Sequence, residues 1–223
     1  MKRKVDYSLY LVTDRNLSLG RSIEEIVESA VRGGVTIVQL REKDCSTREY
    51  IELAKSVLSI LRPMNIPLII NDRVDVALAV GADGVHIGQN DMPYKEARRI
   101  MGEDAIIGLT VETFEQAKEA ENLDADYLGV SAIFATPTKT DVANVWGLDG
   151  LKKLRTQSRH ILIGIGGINP TNAKAVMEAG ADGLAVVSAI CSAPDPEQVS
   201  RQLHTIIKTV LEERKSNETI NNR

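Results

Sequence analysis

Eight short runs of β-branched and aliphatic residues, each followed by a stretch of helical period, constrain this chain more than any other feature. The runs occupy residues 7–13, 36–42, 67–71, 84–88, 106–110, 127–131, 161–165 and 183–187. Helix starts between them are well marked. Ser22-Ile-Glu-Glu25, Ser46-Thr-Arg-Glu49 and Thr113-Phe-Glu-Gln116 fit the capping box, in which the first and fourth residues satisfy each other's orphan amides. Asn169-Pro170 and Asp195-Pro196 each set a cap before a proline at the first helical position. Gly33, Gly81, Gly102 and Gly180 stand where helices should stop. Strand then helix, eight times over, is the count of an α/β fold of the (β/α)8 TIM-barrel type.

A doubly wound sheet shares that alternation and is the rival architecture. An internal echo favours the barrel: Gly81-Ala-Asp-Gly84 leads into the fourth run and Gly180-Ala-Asp-Gly183 into the eighth, as two related halves would show. With 223 residues, the length suits one barrel or two small domains. No linker interrupts the pattern, so the reading is a single domain over 1–213. The segment 214–223 is polar and aperiodic, and is expected to fray as a disordered tail.

Charge and cysteine content narrow the function classes. The formal net charge is −4, with 27 basic and 31 acidic side chains, which lacks the basic footprint of nucleic-acid binding. Cys45 and Cys191 form no CxxC and have no neighbouring histidine cluster, so a disulfide or zinc framework is not expected. No apolar stretch approaches the length of a membrane span, and the basic start Met1-Lys2-Arg3-Lys4 lacks the apolar core of a signal peptide. The expectation is a soluble cytoplasmic protein with small-molecule partners, neither nucleic acid nor membrane; the oligomeric state stays open.

In a barrel of this kind the chemistry sits at the C-terminal ends of the strands and in the loops beyond them. The second run ends Val38-Gln39-Leu40-Arg41-Glu42-Lys43, and alternation puts Gln39, Arg41 and Lys43 on one face. Two cations and an amide at a barrel mouth call for an anion; a solvated strand end is the plain alternative. The third run ends Asn71-Asp72-Arg73 and the fourth runs into Gly88-Gln89-Asn90-Asp91. Two aspartates from adjacent strand ends can share Mg²⁺, which takes one or two carboxylates together with phosphate oxygens. Alternatively, each caps the helix that follows it. His86 reads as a packed barrel histidine rather than a ligand or base.

Beyond the sixth run, Ala135-Thr136-Pro137-Thr138-Lys139-Thr140-Asp141 opens a polar connection reaching Trp146, longer than a minimal turn. Ile165-Gly166-Gly167-Ile168 and Val187-Ser188-Ala189-Ile190 end the seventh and eighth runs, where such barrels place a phosphate site built on backbone amides. Two anion sites therefore share one mouth. Arg41, Lys43 and Lys139 with a divalent metal and two aspartates sum to about +3, opposing a pyrophosphate of about −3 and suggesting an electrostatic clamp on a diphosphate leaving group.

These residues resemble the thiamine phosphate synthase family. The resemblance rests on Tyr10-Leu-Val-Thr-Asp14, Val38-Gln-Leu-Arg-Glu-Lys43, Ile70-Asn-Asp72, Gly81-Ala-Asp-Gly-Val-His-Ile-Gly-Gln89, Tyr127-Leu-Gly, Ala135-Thr-Pro-Thr-Lys139, Gly164-Ile-Gly-Gly-Ile168 and Val187-Ser-Ala-Ile190, in order, up to about Glu212. It implies a transferase that joins hydroxymethylpyrimidine diphosphate to thiazole phosphate, giving thiamine phosphate and pyrophosphate through a pyrimidine cation. Gln39, Arg41, Lys43, Asn71, Thr110 and Lys139 would hold the pyrimidine diphosphate, with Arg41, Lys43 and Lys139 aiding catalysis. Thr136, Pro137, Thr138, Gly167, Val187 and Ser188 would receive the thiazole phosphate, and Asp72 and Asp91 would bind Mg²⁺. Thr110 stands where the family often has serine. A thiazole tautomerase of the same fold is the runner-up, against which Glu112 stands where that branch carries a histidine. A non-catalytic phosphate-binding barrel is the third reading.

Overall fold

Side chains that alternate between two faces let each strand bury one face against helices and the other inside a closed sheet. The computed structural model, which describes residues 4–136 and 145–221 with side chains through 217, shows that arrangement. In chain order, β1 (Leu9–Val12) leads to α1 (Ile23–Arg32), β2 (Ile37–Leu40) to α2 (Thr47–Leu61), and β3 (Leu68–Asn71) to α3 (Val74–Val80). Next, β4 (Gly84–Ile87) leads to α4 (Tyr94–Met101), β5 (Ile106–Val111) to α5 (Phe114–Ala120), and β6 (Tyr127–Ser131) to α6 (Gly147–Arg155). Finally, β7 (Leu162–Ile165) leads to α7 (Ala173–Glu178), and β8 (Gly183–Val186) to the short α8 (Ser188–Cys191) and long α9 (Pro196–Asn221). The strands form a closed barrel in sequence order, with β8 pairing parallel to β1. The eight expected runs are the eight strands.

The core divides along the pleat. Leu9, Leu11, Val38, Leu40, Leu68, Ile70, Val85, Ile87, Leu128, Val130, Leu184 and Val186 join the cluster that packs on the helices. Tyr10, Val12, Ile37, Ile69, Ile106, Tyr127, Ile163 and Ala185 form a separate cluster inside the barrel. Burying each such aliphatic side chain is worth about 1.5–3 kcal/mol.

The bottom of the barrel is tied in four strand pairs. Leu9 N donates to Thr36 Oγ1 (3.2 Å), Leu68 N to Asp83 Oδ2 (2.9 Å), Ile107 N to Asp126 Oδ2 (2.9 Å) and Leu162 N to Asp182 Oδ2 (2.8 Å). The backbone N–H of each acceptor residue returns a bond to the carbonyl of the same partner, at 2.7–3.0 Å. Every acceptor directly precedes an even-numbered strand. The aspartates of the two Gly-Ala-Asp-Gly echoes fill two of these four places.

Several local expectations need adjustment. Ser22–Glu25 and Ser46–Glu49 are complete capping boxes. Thr113 caps α5, but Gln116 Oε1 accepts from Glu112 N rather than from Thr113. Asn169 accepts from Thr171 N in a turn, and α7 starts only at Ala173, so Pro170 is not its first residue. Asp195 does cap α9 ahead of Pro196. That helix continues to Asn221 through the segment expected to fray. Arg214 Nη1 donates to Ala181 O, anchoring the start of that segment to the barrel (3.0 Å). Among the described residues, no helix is long and apolar enough to cross a membrane.

Candidate active site

The C-terminal ends of the strands surround a cavity of about 320 Å³. Gln39 from β2 and Arg41 and Lys43 just beyond it, Asn71 from β3 and Asp72 just beyond it, Asp91 after β4, Thr110 from β5, Thr136 after β6, Gly167 after β7, and Val187 and Ser188 after β8 all line it. Pro137, Thr138 and Lys139 lie outside the described residues. The rest of the expected site converges on one opening.

On the β2 side, Gln39 is buried and donates through Nε2 to Tyr10 OH at 3.1 Å. Leu40 turns outward into the helix-facing core. Arg41 and Lys43 return to the mouth beyond the strand, while Glu42 folds away and pairs with Arg15 at 3.1 Å. Burial raises the Glu42 pKa, and Arg15 opposes that shift. Arg41 is held from β1: its Nη1 donates to Asp14 Oδ2 (3.0 Å) and its backbone N to Thr13 Oγ1 (3.0 Å). Lys43 Nζ meets Asp72 Oδ2 at 2.5 Å.

The two aspartates do not cap helices. Helix α3 has Arg73 at its cap position and α4 has Pro93, neither with a side-chain cap bond. Asp91 Oδ2 instead accepts from Gly88 N at 2.7 Å. Asp72 sits in the left-handed region at φ 61°, with its N–H donating to His86 O at 2.8 Å. Burial first, and then the neighbouring Asp72 carboxylate, push the Asp91 pKa up. Two hard oxygen ligands whose charges oppose one another, both partly buried, suit a divalent cation. Among the described residues, no three His, Cys, Asp or Glu side chains converge as a metal-binding group. A cation held here would take its other ligands from substrate or water, the habit of Mg²⁺.

Across the cavity, the Gly166-Gly167 turn needs both glycines. Their φ values are 99° and 66°. A Cβ at Gly166 would lie 2.6 Å from Ala132 Cβ, and one at Gly167 would lie 2.8 Å from Phe134 Cβ. The turn thus brings bare backbone to the wall beside Val187 and Ser188, where a phosphate can approach closely.

Sequence reasoning missed Asp14, which holds Arg41, and Ser131, which lines the cavity. Asp14 follows the end of β1 and Ser131 ends β6, positions of the same kind as those read on the other strands. Asp14 also lowers by one the charge sum drawn from Arg41, Lys43, Lys139, the metal and the other aspartates.

Residues 9–190 match the family model described as thiamine monophosphate synthase. A thiamine-phosphate synthase of Syntrophomonas wolfei is 52% identical over 201 residues, spanning 90% of this chain and 96% of that protein. One from Azorhizobium caulinodans is 50% identical over 209 residues, spanning 94% and 99%. The solved thiamine phosphate pyrophosphorylase of Pyrococcus furiosus superposes with a TM-score of 0.85 at 40% identity, covering 92% of this chain and 98% of that one. Barrel, cavity and matched sequence agree: the chain belongs to the thiamine monophosphate synthase family.

Proposed function

We propose that this cavity joins hydroxymethylpyrimidine diphosphate to thiazole phosphate, releasing pyrophosphate and forming thiamine phosphate. The observation that carries this reading is the convergence, on one cavity, of two cations, two aspartates and a glycine turn from separate strand ends. Relatives at 50–52% identity named thiamine-phosphate synthase support it over the tautomerase and the non-catalytic barrel.

Arg41 and Lys43 face the diphosphate, joined by Lys139 on the basis of the family resemblance. Gln39, Asn71 and Thr110 complete the hold on the same pyrimidine diphosphate. The Gly167 and Val187-Ser188 backbone, with Thr136, Pro137 and Thr138, receives the thiazole phosphate. Asp72 and Asp91 would hold Mg²⁺, which when bound offsets diphosphate charge and makes the group easier to expel. The residues assigned to the site include no nucleophile paired with a base. With cations and metal-ligating aspartates gathered where the leaving group sits, the reaction runs by departure first: the methylene C–O bond breaks, its electron pair leaves with pyrophosphate, and the aminopyrimidine carries the positive charge. The thiazole nitrogen then supplies the pair for the new C–N bond. Arg41 and Lys43 stabilise the departing charge and orient both partners.

Free thiols at Cys45 and Cys191 support a reducing, cytoplasmic setting. The test mixes both substrates with and without Mg²⁺ and follows pyrophosphate and thiamine phosphate. Equal, metal-dependent formation of the two products is expected; no thiamine phosphate from the pair would defeat the reading.

A further inference from the structure

Beneath the cavity, a chain of hydrogen bonds crosses the barrel interior and joins two of the cavity walls. Gln39 Nε2 donates to Tyr10 OH (3.1 Å), Tyr10 OH meets Tyr127 OH (2.8 Å), Tyr127 OH meets His86 Nδ1 (2.9 Å), and His86 Nε2 meets Thr110 Oγ1 (2.8 Å). All five side chains are buried, and they come from β2, β1, β6, β4 and β5. Glycines make room for the rings. A Cβ at Gly108 would lie 2.0 Å from Tyr127 Cζ, and one at Gly129 would lie 3.0 Å from His86 Cε1.

The chain has a direction. An amide nitrogen only donates, so Tyr10 accepts from Gln39, and the arrangement in which Tyr10 also spends its own hydrogen within the chain has it donate to Tyr127. Tyr127 in turn donates to His86 Nδ1. An imidazole that accepts at Nδ1 carries its proton on Nε2 and gives that bond to Thr110 Oγ1. The Thr110 hydroxyl hydrogen is then left for the cavity. With the direction reversed, Thr110 would spend its hydrogen on His86 and turn lone pairs toward an anion.

We propose that Tyr127 is a positioning residue which, acting through His86, sets this polarity so that Thr110 presents its hydroxyl as a donor to a diphosphate oxygen. The proposal rests on the functional reading above, because it takes the anion at Thr110 to be a diphosphate. Tyr127 itself touches no substrate. It acts by fixing which imidazole nitrogen carries the proton, two links from the ligand.

The test has two arms. In the ligand-free protein labelled with ¹⁵N-histidine, the His86 signals are identified by their loss in His86→Gln, among three histidines in all. The expected spectrum shows His86 protonated at Nε2 and bare at Nδ1, and Tyr127→Phe gives mixed tautomers. The second arm measures Kd for inorganic pyrophosphate with Mg²⁺ by calorimetry. Tyr127→Phe and Thr110→Val should each weaken binding roughly tenfold, and the double variant no further, because both remove one donor. A His86 protonated at Nδ1 in the parent protein, or losses that multiply to roughly a hundredfold in the double variant, would overturn the proposal. If the parent failed to bind pyrophosphate at all, the functional reading would fall, while the tautomer would still decide the direction of the chain.

Discussion

Arg41 and Asp14 meet at 3.0 Å beside the cavity, with a quarter or less of either side chain exposed. One comes from the loop after β2 and the other from the loop after β1, so the first two strands jointly aim a single guanidinium. A second tie, from Arg41 N to Thr13 Oγ1, fixes the backbone below it. Held by one edge, the planar fork keeps its remaining donors in a set direction, which reduces the ordering cost when an anion arrives.

Asp14→Asn should therefore weaken catalysis without emptying the site. The amide can still accept one bond, but its charge no longer holds Arg41. Steady-state kinetics should show kcat/KM for the pyrimidine diphosphate down about tenfold, equivalent to about 1.4 kcal/mol, with the thiazole phosphate KM unchanged. A change confined to the thiazole side would place Arg41 at the other anion.

Asp72→Asn and Asp91→Asn separate catalysis from stability. Neither aspartate caps a helix, so neither replacement removes a cap. Turnover should fall about a hundredfold or more, about 2.7 kcal/mol, and half-saturation by Mg²⁺ should rise. Chelating the metal from the parent protein should abolish turnover. Burial and Asp72 raise the Asp91 pKa, which means that its charge is carried at a cost in the metal-free fold. In chelator, Asp91→Asn should accordingly melt no lower than the parent. A large drop in melting temperature would make Asp91 a structural residue.

Two glycine substitutions should have opposite signs. A Cβ at Gly108 would fall 2.3 Å from Tyr127 OH in the packed barrel interior. Overpacking of this kind costs about 3 kcal/mol, or roughly 6–12 °C in melting temperature. Gly150 lies inside α6, and its Cβ would meet Trp146 no closer than 3.5 Å. Gly150→Ala should stabilise by about 0.5–1 kcal/mol, since alanine loses less backbone freedom in a helix. Thermal melts of both variants decide the matter.

The α2 capping box should be visible as a function of pH. Bonds from the Ser46 side chain and backbone hold the Glu49 carboxyl below its ordinary range. Its folded-state pKa is thus depressed. The stabilisation is full above the ordinary carboxylate value and is lost as pH falls through the lowered one. Glu49→Gln should melt below the parent at pH 7, and the gap should close toward pH 3. A gap independent of pH would mean that the carboxylate charge plays no part.

The repeating pattern by itself determined the eight strand–helix units, and the Gly-Ala-Asp-Gly echo favoured a barrel over the doubly wound sheet that shares the alternation. Eight β-branched runs separated by capped helices can bury both faces of each strand by closing into a barrel, and that requirement is local and periodic. The same periodicity pointed to the mouth residues, because strand ends can be read from composition and because Gln39, Arg41 and Lys43 share a face by simple alternation. The tertiary structure decided what alternation cannot express. Asp14 reaches Arg41 from another strand, Asp72 and Asp91 are ruled out as caps, and Gly108 and Gly129 make space for rings 19 and 43 residues away. His86 looked like a packed core residue and is packed, yet its two nitrogens link β6 to β5. Such relationships depend on how the strands are staggered around the barrel. That stagger is set by the packing of all eight at once and leaves no trace in any short stretch of sequence.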